Sequence, residues 1–290
     1  MIDLAITITT FSMMVMLFKY FDKIRVNNLI AITFNYFTAG TLALSSYLLE
    51  NSFIELKTNT NLNLVIIALI VGTLFVITFN LYAYSAQKTG ITLSTISNKM
   101  SMVIPILIGI ILFKEEVTFF KIIGIFLALG AIVFSSKEDK KSKKLSQINI
   151  IILFLLFIGQ GLADGILNWG QRNILNSQNM NLFFTLTFLS AGFAGGLYSF
   201  LKIKTSNLKM DKKSIFWGII LGIPNYLTLL YFIKSLKSEL FSSYQVFPIV
   251  NIGVIVMCTS LSVILFQEKV SIFKWVGVGV GILAISLILL

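Results

Sequence analysis

The sequence predicts an all-α integral membrane protein of ten transmembrane helices arranged as two inverted five-helix repeats. Three observations predict it. Hydrophobic residues make up 57% of 290 and charged residues 12%, with mean hydropathy +0.91, a balance far from that of soluble domains. The apolar residues gather into ten stretches close to the ~20 residues that cross a hydrocarbon core about 30 Å thick. A charged segment near mid-chain separates five stretches from five, and the two sides resemble each other.

In chain order, the first stretch, 2–18, lacks both a basic start and a small-residue cleavage pattern, so it reads as a retained helix. Lys19, Lys23 and Arg25 end it, and 28–49 follows as the second. The third, 63–86, carries Asn80 and Tyr84, with Gln87 just beyond, at a spacing that puts them on one helical face. The fourth, 90–113, holds Asn98 and Lys99 in its interior, and the fifth spans 118–136. Ser135 to Lys144 is charged, short of apolar residues and plainly a linker. The sixth stretch, 148–170, has Gln160, Asp164 and Asn168 four residues apart along one face. The seventh, 181–201, contains Gly192, Gly195 and Gly196, which permit close helix packing. Pro224, followed by Asn225, lies midway along the eighth, 214–236, where a proline frees a carbonyl and can bend the helix. The ninth, 240–266, holds Pro248, Asn251 and the single Cys258, and the tenth, 271–290, the close-packing Gly277, Gly279 and Gly281. The expected organisation is a first repeat over 1–136, a charged linker over 137–147 and a second repeat over 148–290.

Composition excludes most other classes. Zero His, one Cys and 12 thinly spread acidic residues leave no ligand set for zinc, haem or an iron–sulfur centre, and no cofactor is expected. No paired carboxylates, His or nucleophile constellation marks an enzyme, and ten spans leave no room for a soluble catalytic domain. The net charge of +11 comes from residues that flank apolar stretches, and 21 of the 23 basic residues are Lys, which disfavours a nucleic-acid partner.

The repetition is clearest where the fourth and ninth stretches end. Residues 112–121 lie over 265–274 without a gap at an offset of 153, and 9 of the 23 positions from Leu112 to Phe134 match. Gly124 falls on Gly277, Ala131 on Ala284, and Glu115 and Glu268 each precede a Lys by six residues. These two glutamates sit at helix boundaries and are expected to pair locally or cap the next helix. A unit of five spans crosses an odd number of times, so a second copy starts on the opposite side of the bilayer. Inverted repeats of this kind are a recurring build of secondary transporters, whose halves rock around a midplane site.

The helix, Leu-Phe-x-Glu-x-Val, helix pattern at Leu112–Val117 and Leu265–Val270 resembles the EamA-type domain of the drug/metabolite transporter superfamily, and the likeness covers essentially the whole chain. That resemblance implies export or exchange of small metabolites such as amino acids, along a pathway between the halves with helices 5 and 10 peripheral. One departure is proline placement: Pro248 lies 20 residues before Glu268 but Pro105 only 10 before Glu115. For sidedness, the loops after odd-numbered stretches hold 16 basic residues and those after even-numbered ones 6, which places both termini outside. The resemblance implies the opposite arrangement.

Lys99 and Asp164 are the charges that need a reason, since an ionised group at the helix centre costs about 2.5–3.5 kcal/mol on insertion scales. Lys99 suits a carboxylate or other anion on a solute, against a structural role toward a carbonyl or toward Asp164. Asp164 suits a solute ammonium or exchange of a coupling proton, against a helix-to-helix hydrogen bond. Asn98 and Asn251 are related by the same offset of 153 and, with Asn80, Tyr84, Gln160 and Asn225, complete the candidate substrate-binding set. The expected function is a permease or exporter in the cell membrane that moves an amino acid or related zwitterion by alternating access. The alternatives are exchange of anionic organophosphates or nucleotide sugars, cationic drug efflux, or a non-transporting scaffold. The expected partners are the small-molecule substrate, membrane lipids and protons or a counter-solute, with no nucleic acid, in a monomer or homodimer.

Overall fold

The computed structural model describes residues 1–50, 61–114, 116–136, 145–175, 179–206, 210–236 and 243–289. Glu115 and most of the charged linker, 137–144, lie outside the described residues. The chain forms eleven α-helices among those described: α1 (Ile2–Lys23), α2 (Asn28–Glu50), α3 (Leu62–Lys88), α4 (Ile91–Met100), α5 (Val103–Phe113) and α6 (Phe119–Ser136), then α7 (Gln147–Asn173), α8 (Met180–Ser206), α9 (Lys212–Leu236), α10 (Ser243–Phe266) and α11 (Ile272–Ile288). With α4 and α5 taken together as Ile91–Phe113, nine of these spans are long and apolar enough to cross a membrane. The tenth, α11, has 17 residues and sits at the short end of the spanning range.

The fourth stretch is one span but two helices, and Pro105 explains the break. Proline has no N–H for the carbonyl four residues back, here Ser101, and its ring crowds that carbonyl. The backbone tightens instead: the Met102 N–H donates to the Lys99 carbonyl at 3.4 Å and the Ile104 N–H to the Ser101 carbonyl at 2.9 Å, each three residues back. The carbonyl of Asn98, left by the regular ladder, accepts the Ser101 hydroxyl at 2.5 Å. Pro224 and Pro248 interrupt nothing, since α9 and α10 run unbroken through them.

By packing, the chain sorts into two compact units. The first comprises Met1–Tyr20, Leu81–Gly161 and Leu227–Leu290, and the second Phe21–Asn80 and Leu162–Tyr226. Each draws helices from both sides of the linker. In the first unit α6 and α11 pack most extensively, while α4 touches α6, α10 and α11. Ile96, Met100, Val103, Ala131, Ile255 and Ala284 are buried at their centre.

The α6–α11 contact is reciprocal. A Cβ on Gly124 would stand 2.9 Å from the Ala284 carbonyl oxygen and 2.7 Å from Ile288 Cγ1. One on Gly277 would stand 2.9 Å from the Ala131 carbonyl oxygen and 1.8 Å from Ser135 Oγ. Gly124 and Gly277, like Ala131 and Ala284, are the positions that the offset of 153 matches in sequence. Lys114 and Gln267, also 153 apart, share a left-handed backbone, φ 53° and 50°, where α5 and α10 end.

The loop before α4 is tied to the corner between α10 and α11. The Ile91 N–H donates to Glu268 Oε2 at 2.9 Å, and Lys274 Nζ lies 3.3 Å from Oε1. Glu268 thus pairs locally, as expected, but the helix it caps is α4. The start of α11 is capped by Ser271, whose hydroxyl accepts from the Lys274 N–H. Gly90 makes this approach possible, with φ 96° and ψ 157° and the position of a Cβ only 2.2 Å from Glu268 Oε1.

In the second unit α2 and α8 pack most extensively, with Gly40 against Leu189 and Gly192 against the Phe37 ring. Backbones approach closely there because the small residues leave room. Buried hydroxyls of α8 find partners on both neighbours, Ser199 with Thr33 of α2 at 3.3 Å and Ser190 with the Ala68 carbonyl of α3 at 2.9 Å.

Candidate functional site

Within the first unit, the break between α4 and α5 gathers polar side chains at mid-span. Nine of the ten residues of α4 are buried, and Lys99, at its C-terminal end, is the half-buried exception. A helix C-terminus carries partial negative charge, so this end suits an ammonium. Lys99 Nζ lies 3.6 Å from the ring centroid of Phe11 on α1, well within cation–π range. Phe11 packs near Tyr82 of α3, with centroids 6.4 Å apart, and Phe18 packs on the same tyrosine at 5.8 Å. The Tyr82 hydroxyl is hydrogen-bonded to Thr95 Oγ1 at 2.9 Å, one helical turn before Lys99. The buried Cys258 of α10 lies beside Tyr82 and Thr95.

Asn98, 4% exposed, and Asn251 both belong to this region, and Asn251 Nδ2 reaches Met102 Sδ at 3.6 Å, just past the break. α7 runs alongside: Ser97 Oγ donates to the Leu153 carbonyl at 2.8 Å, and a Cβ on Gly161 would meet Ile104 at 2.4 Å. Gln160, half-buried, is the residue before Gly161. Tyr84 is 38% exposed. Its neighbour in the expected stripe, Gln87, is bound to α1, donating to the Phe18 carbonyl and accepting from Lys19 through its own carbonyl, both at 2.8 Å.

The remaining candidates belong to the second unit. Asn80 donates to the carbonyl of Val76 at 2.8 Å within its own helix. Asp164 is half-buried on α7, and four residues on Asn168 accepts from Arg172 Nε at 2.9 Å, so the polar stripe of that helix runs one turn further than expected. Asn225 is buried and donates to Asn35 Oδ1 at 3.1 Å, an amide pair between α9 and α2. Lys99 and Asp164 therefore fall in different units.

Sequence reasoning passed over Phe11 and Asn35, and noted Pro105 only as a departure in proline placement. Pro105 had a legible signal, a proline one turn beyond Ser101 that breaks the span beside Lys99. Phe11 had none, being one of 26 Phe in an apolar chain.

The model of the EamA-like transporter family matches residues 2–137. An uncharacterized protein of Haemophilus influenzae is 28% identical over 261 residues, covering 88% of this chain and 86% of its own length. A solved crystal structure superposes with a TM-score of 0.60 at 10% identity, over 98% of this chain and 96% of its own, a likeness of fold alone. Nine membrane-length apolar spans among the described residues mark a multi-pass membrane protein. Over residues 2–137 the chain is similar to the EamA-like transporter family.

Proposed function

We propose that the chain is a secondary transporter that moves a small polar metabolite, an amino acid or related zwitterion, by alternating access, with Lys99 receiving the solute's carboxylate. The observation that carries this reading is the Lys99 ammonium, half-buried at a break in the middle of a membrane span. An ionised group at such depth costs about 2.5–3.5 kcal/mol on insertion scales, and intramembrane charges mark solute or ion pathways. The break adds a second cue: irregular backbone at membrane depth belongs where it lines a cavity or is enclosed by protein, and discontinuous helices hold the sites of many transporters. A carboxylate beside Lys99 also meets the positive end of the α5 dipole.

Asn98, Asn251 and Gln160 supply amide groups in the same unit, suited to the polar remainder of the solute. Asp164 is assigned to proton exchange, with Asn80, Tyr84 and Asn225 in supporting polar positions. The inverted repeat, 1–136 with 148–290, is supported by the reciprocal α6–α11 contact and the paired left-handed Lys114 and Gln267.

The experiment is a thermal-shift and calorimetric screen of the purified protein and its Lys99→Ala variant against amino acids, organophosphates, nucleotide sugars and lipophilic cations. A ligand at 100 times its Kd stabilises the folded state by about 2.7 kcal/mol. Amino acids are expected to stabilise the wild type and not Lys99→Ala. Equal stabilisation of both would refute the role of Lys99, and a response to phosphates alone would move the substrate to that class. In proteoliposomes, Asp164→Asn is expected to abolish the pH dependence of flux; an unchanged pH profile rejects proton exchange there.

A further inference from the structure

We infer that the turn between α1 and α2, with the start of α9, docks the phosphate of an anionic phospholipid whose acyl chains lie along the exposed face of α9. These residues all belong to the second unit. Lys23, Arg25, Lys212 and Lys213 are exposed there. α8 runs antiparallel to α2, with Ser199 meeting Thr33 and Gly192 meeting Phe37, so Lys202 and Lys204 come to the same end. Among the described residues, these six basic side chains face two acidic ones, Asp22 and Asp211. Asp211 is engaged as the cap of α9, its Oδ1 accepting the Ser214 N–H at 2.7 Å.

Backbone contacts bring two of the charges together. Lys213 Nζ donates to the carbonyl of Ile24, the residue before Arg25, and the Asn27 N–H donates to Ser214 Oγ at 2.8 Å. The start of α9 is thus clamped to the turn. α1 ends in a Schellman pair, the Val26 N–H donating to the Phe21 carbonyl at 2.9 Å and the Arg25 N–H to the Asp22 carbonyl at 3.2 Å. The left-handed position of that motif, ordinarily glycine, is Arg25 at φ 57°. The turn gains nothing from a guanidinium there, so the charge has its use outside the turn. An arginine fork beside a lysine ammonium suits phosphate oxygens.

Below the charges, α9 exposes Phe216, Ile219 and Ile223 at the i, i+3, i+7 spacing of one helical face. On α8, Lys204 Nζ stands 4.4 Å from the exposed Phe200 ring and Lys202 Nζ 5.8 Å from the exposed Tyr198 ring. Lysines reaching past aromatic rings mark the headgroup level of a bilayer. Basic clusters at that level attract anionic lipid. A soluble anion would meet the same charges, but only a phospholipid also covers the apolar stripe beneath them.

The test uses the full chain in a neutral detergent, with dioleoylphosphatidylglycerol, dioleoylphosphatidylcholine and inorganic phosphate as probes. Lipid Kd is read by native mass spectrometry and phosphate Kd by calorimetry. Four proteins are compared: wild type, Arg25→Gly, Lys213→Gln, and the charge-matched double variant Arg172→Gln with Lys234→Gln, whose residues lie in loops after even-numbered stretches. Glycine fits the left-handed backbone, so Arg25→Gly removes the charge and is expected to keep or raise the unfolding midpoint. Each of the two site variants is expected to weaken phosphatidylglycerol binding roughly 5-fold, the factor carried by one basic residue near an anionic surface. The double variant is expected to bind as wild type does, and phosphatidylcholine and inorganic phosphate to bind wild type more weakly than phosphatidylglycerol. Should Lys213→Gln fail to fold, Arg25→Gly decides alone. A loss smaller than about 2-fold in Arg25→Gly, or an equal loss in the double variant, overturns the site. Equal binding of phosphatidylcholine overturns the anionic headgroup, and inorganic phosphate bound as tightly as phosphatidylglycerol overturns the lipid in favour of a soluble anion.

Discussion

Gly90→Ala is expected to destabilise the protein chiefly by evicting Glu268 from the start of α4. At φ 96° and ψ 157°, Gly90 occupies a backbone region open essentially to glycine alone, which costs other residues about 1–3 kcal/mol. The added Cβ would stand 2.2 Å from Glu268 Oε1 and 2.9 Å from Cδ, so the carboxyl must leave. With it goes the bond from the Ile91 N–H to Oε2, a charge-assisted bond at a helix N-terminus worth about 1.5–3 kcal/mol. The full effect is therefore about 2.5–6 kcal/mol, divided between strain and the lost cap. A double-mutant cycle separates the two. In a Glu268→Ala background there is nothing left to evict, and Gly90→Ala is expected to cost only the strain. The cycle is measured by reversible unfolding in mixed micelles followed by circular dichroism. Additivity to within about 0.5 kcal/mol would show that residues 90 and 268 do not act on each other, and the assigned cap would be wrong.

Two further perturbations read other parts of the structure. Pro105→Ala restores an N–H to the ladder and is expected to join α4 and α5 into one helix, visible as a new slowly exchanging amide at residue 105, stabilising by about 1 kcal/mol or more while weakening anion binding at Lys99. Gly124→Ala and Gly277→Ala each force a Cβ onto a facing carbonyl at 2.9 Å and are expected to cost about 1–3 kcal/mol apiece, of similar size because the contact is reciprocal; Gly279→Ala, with nothing within 4 Å, is expected to be neutral or slightly stabilising, and thermal midpoints check all three.

The spans were legible because one physical demand, that backbone polar groups be satisfied inside hydrocarbon, forces long apolar helices, and composition then marks them. The observed helices start and stop within a few residues of the apolar stretches. The site was legible only in part. Lys99 stands out because charge in an apolar run is costly, whereas the ring that covers it is chemically ordinary and its position depends on α1 and α3 packing beside α4. Asn225 illustrates the converse. Its position after Pro224 marks a polar group at a proline, but nothing local tells that the group would donate to Asn35, 190 residues away. Glu268 shows the same limit, since nothing local told that its carboxylate would reach the start of α4 rather than α11.

On the proposed duplication, the region around Lys99 is where the two copies part company. The offset of 153 that matches Asn98 with Asn251 sets Lys99 against Ile252, Ser101 against Val254, Pro105 against Cys258 and Thr95 against Pro248. The second copy therefore lacks the charge, the hydroxyl that satisfies the broken ladder and the proline that breaks it, and its helix α10 runs straight through. One of its replacements lies beside the first copy: Cys258, which matches Pro105, is next to Thr95, which matches Pro248. The α6–α11 contact is reciprocal, with Gly124 and Gly277 each facing a carbonyl of the other helix. Around Lys99 the copies serve different ends, one presenting a cation at a helix break and the other an unbroken wall against it. A polar feature present at one of two matching positions and absent from the other is not demanded by the shared pattern itself. That asymmetry is the physical argument for placing the solute's charge at Lys99 rather than at any residue the two repeats share.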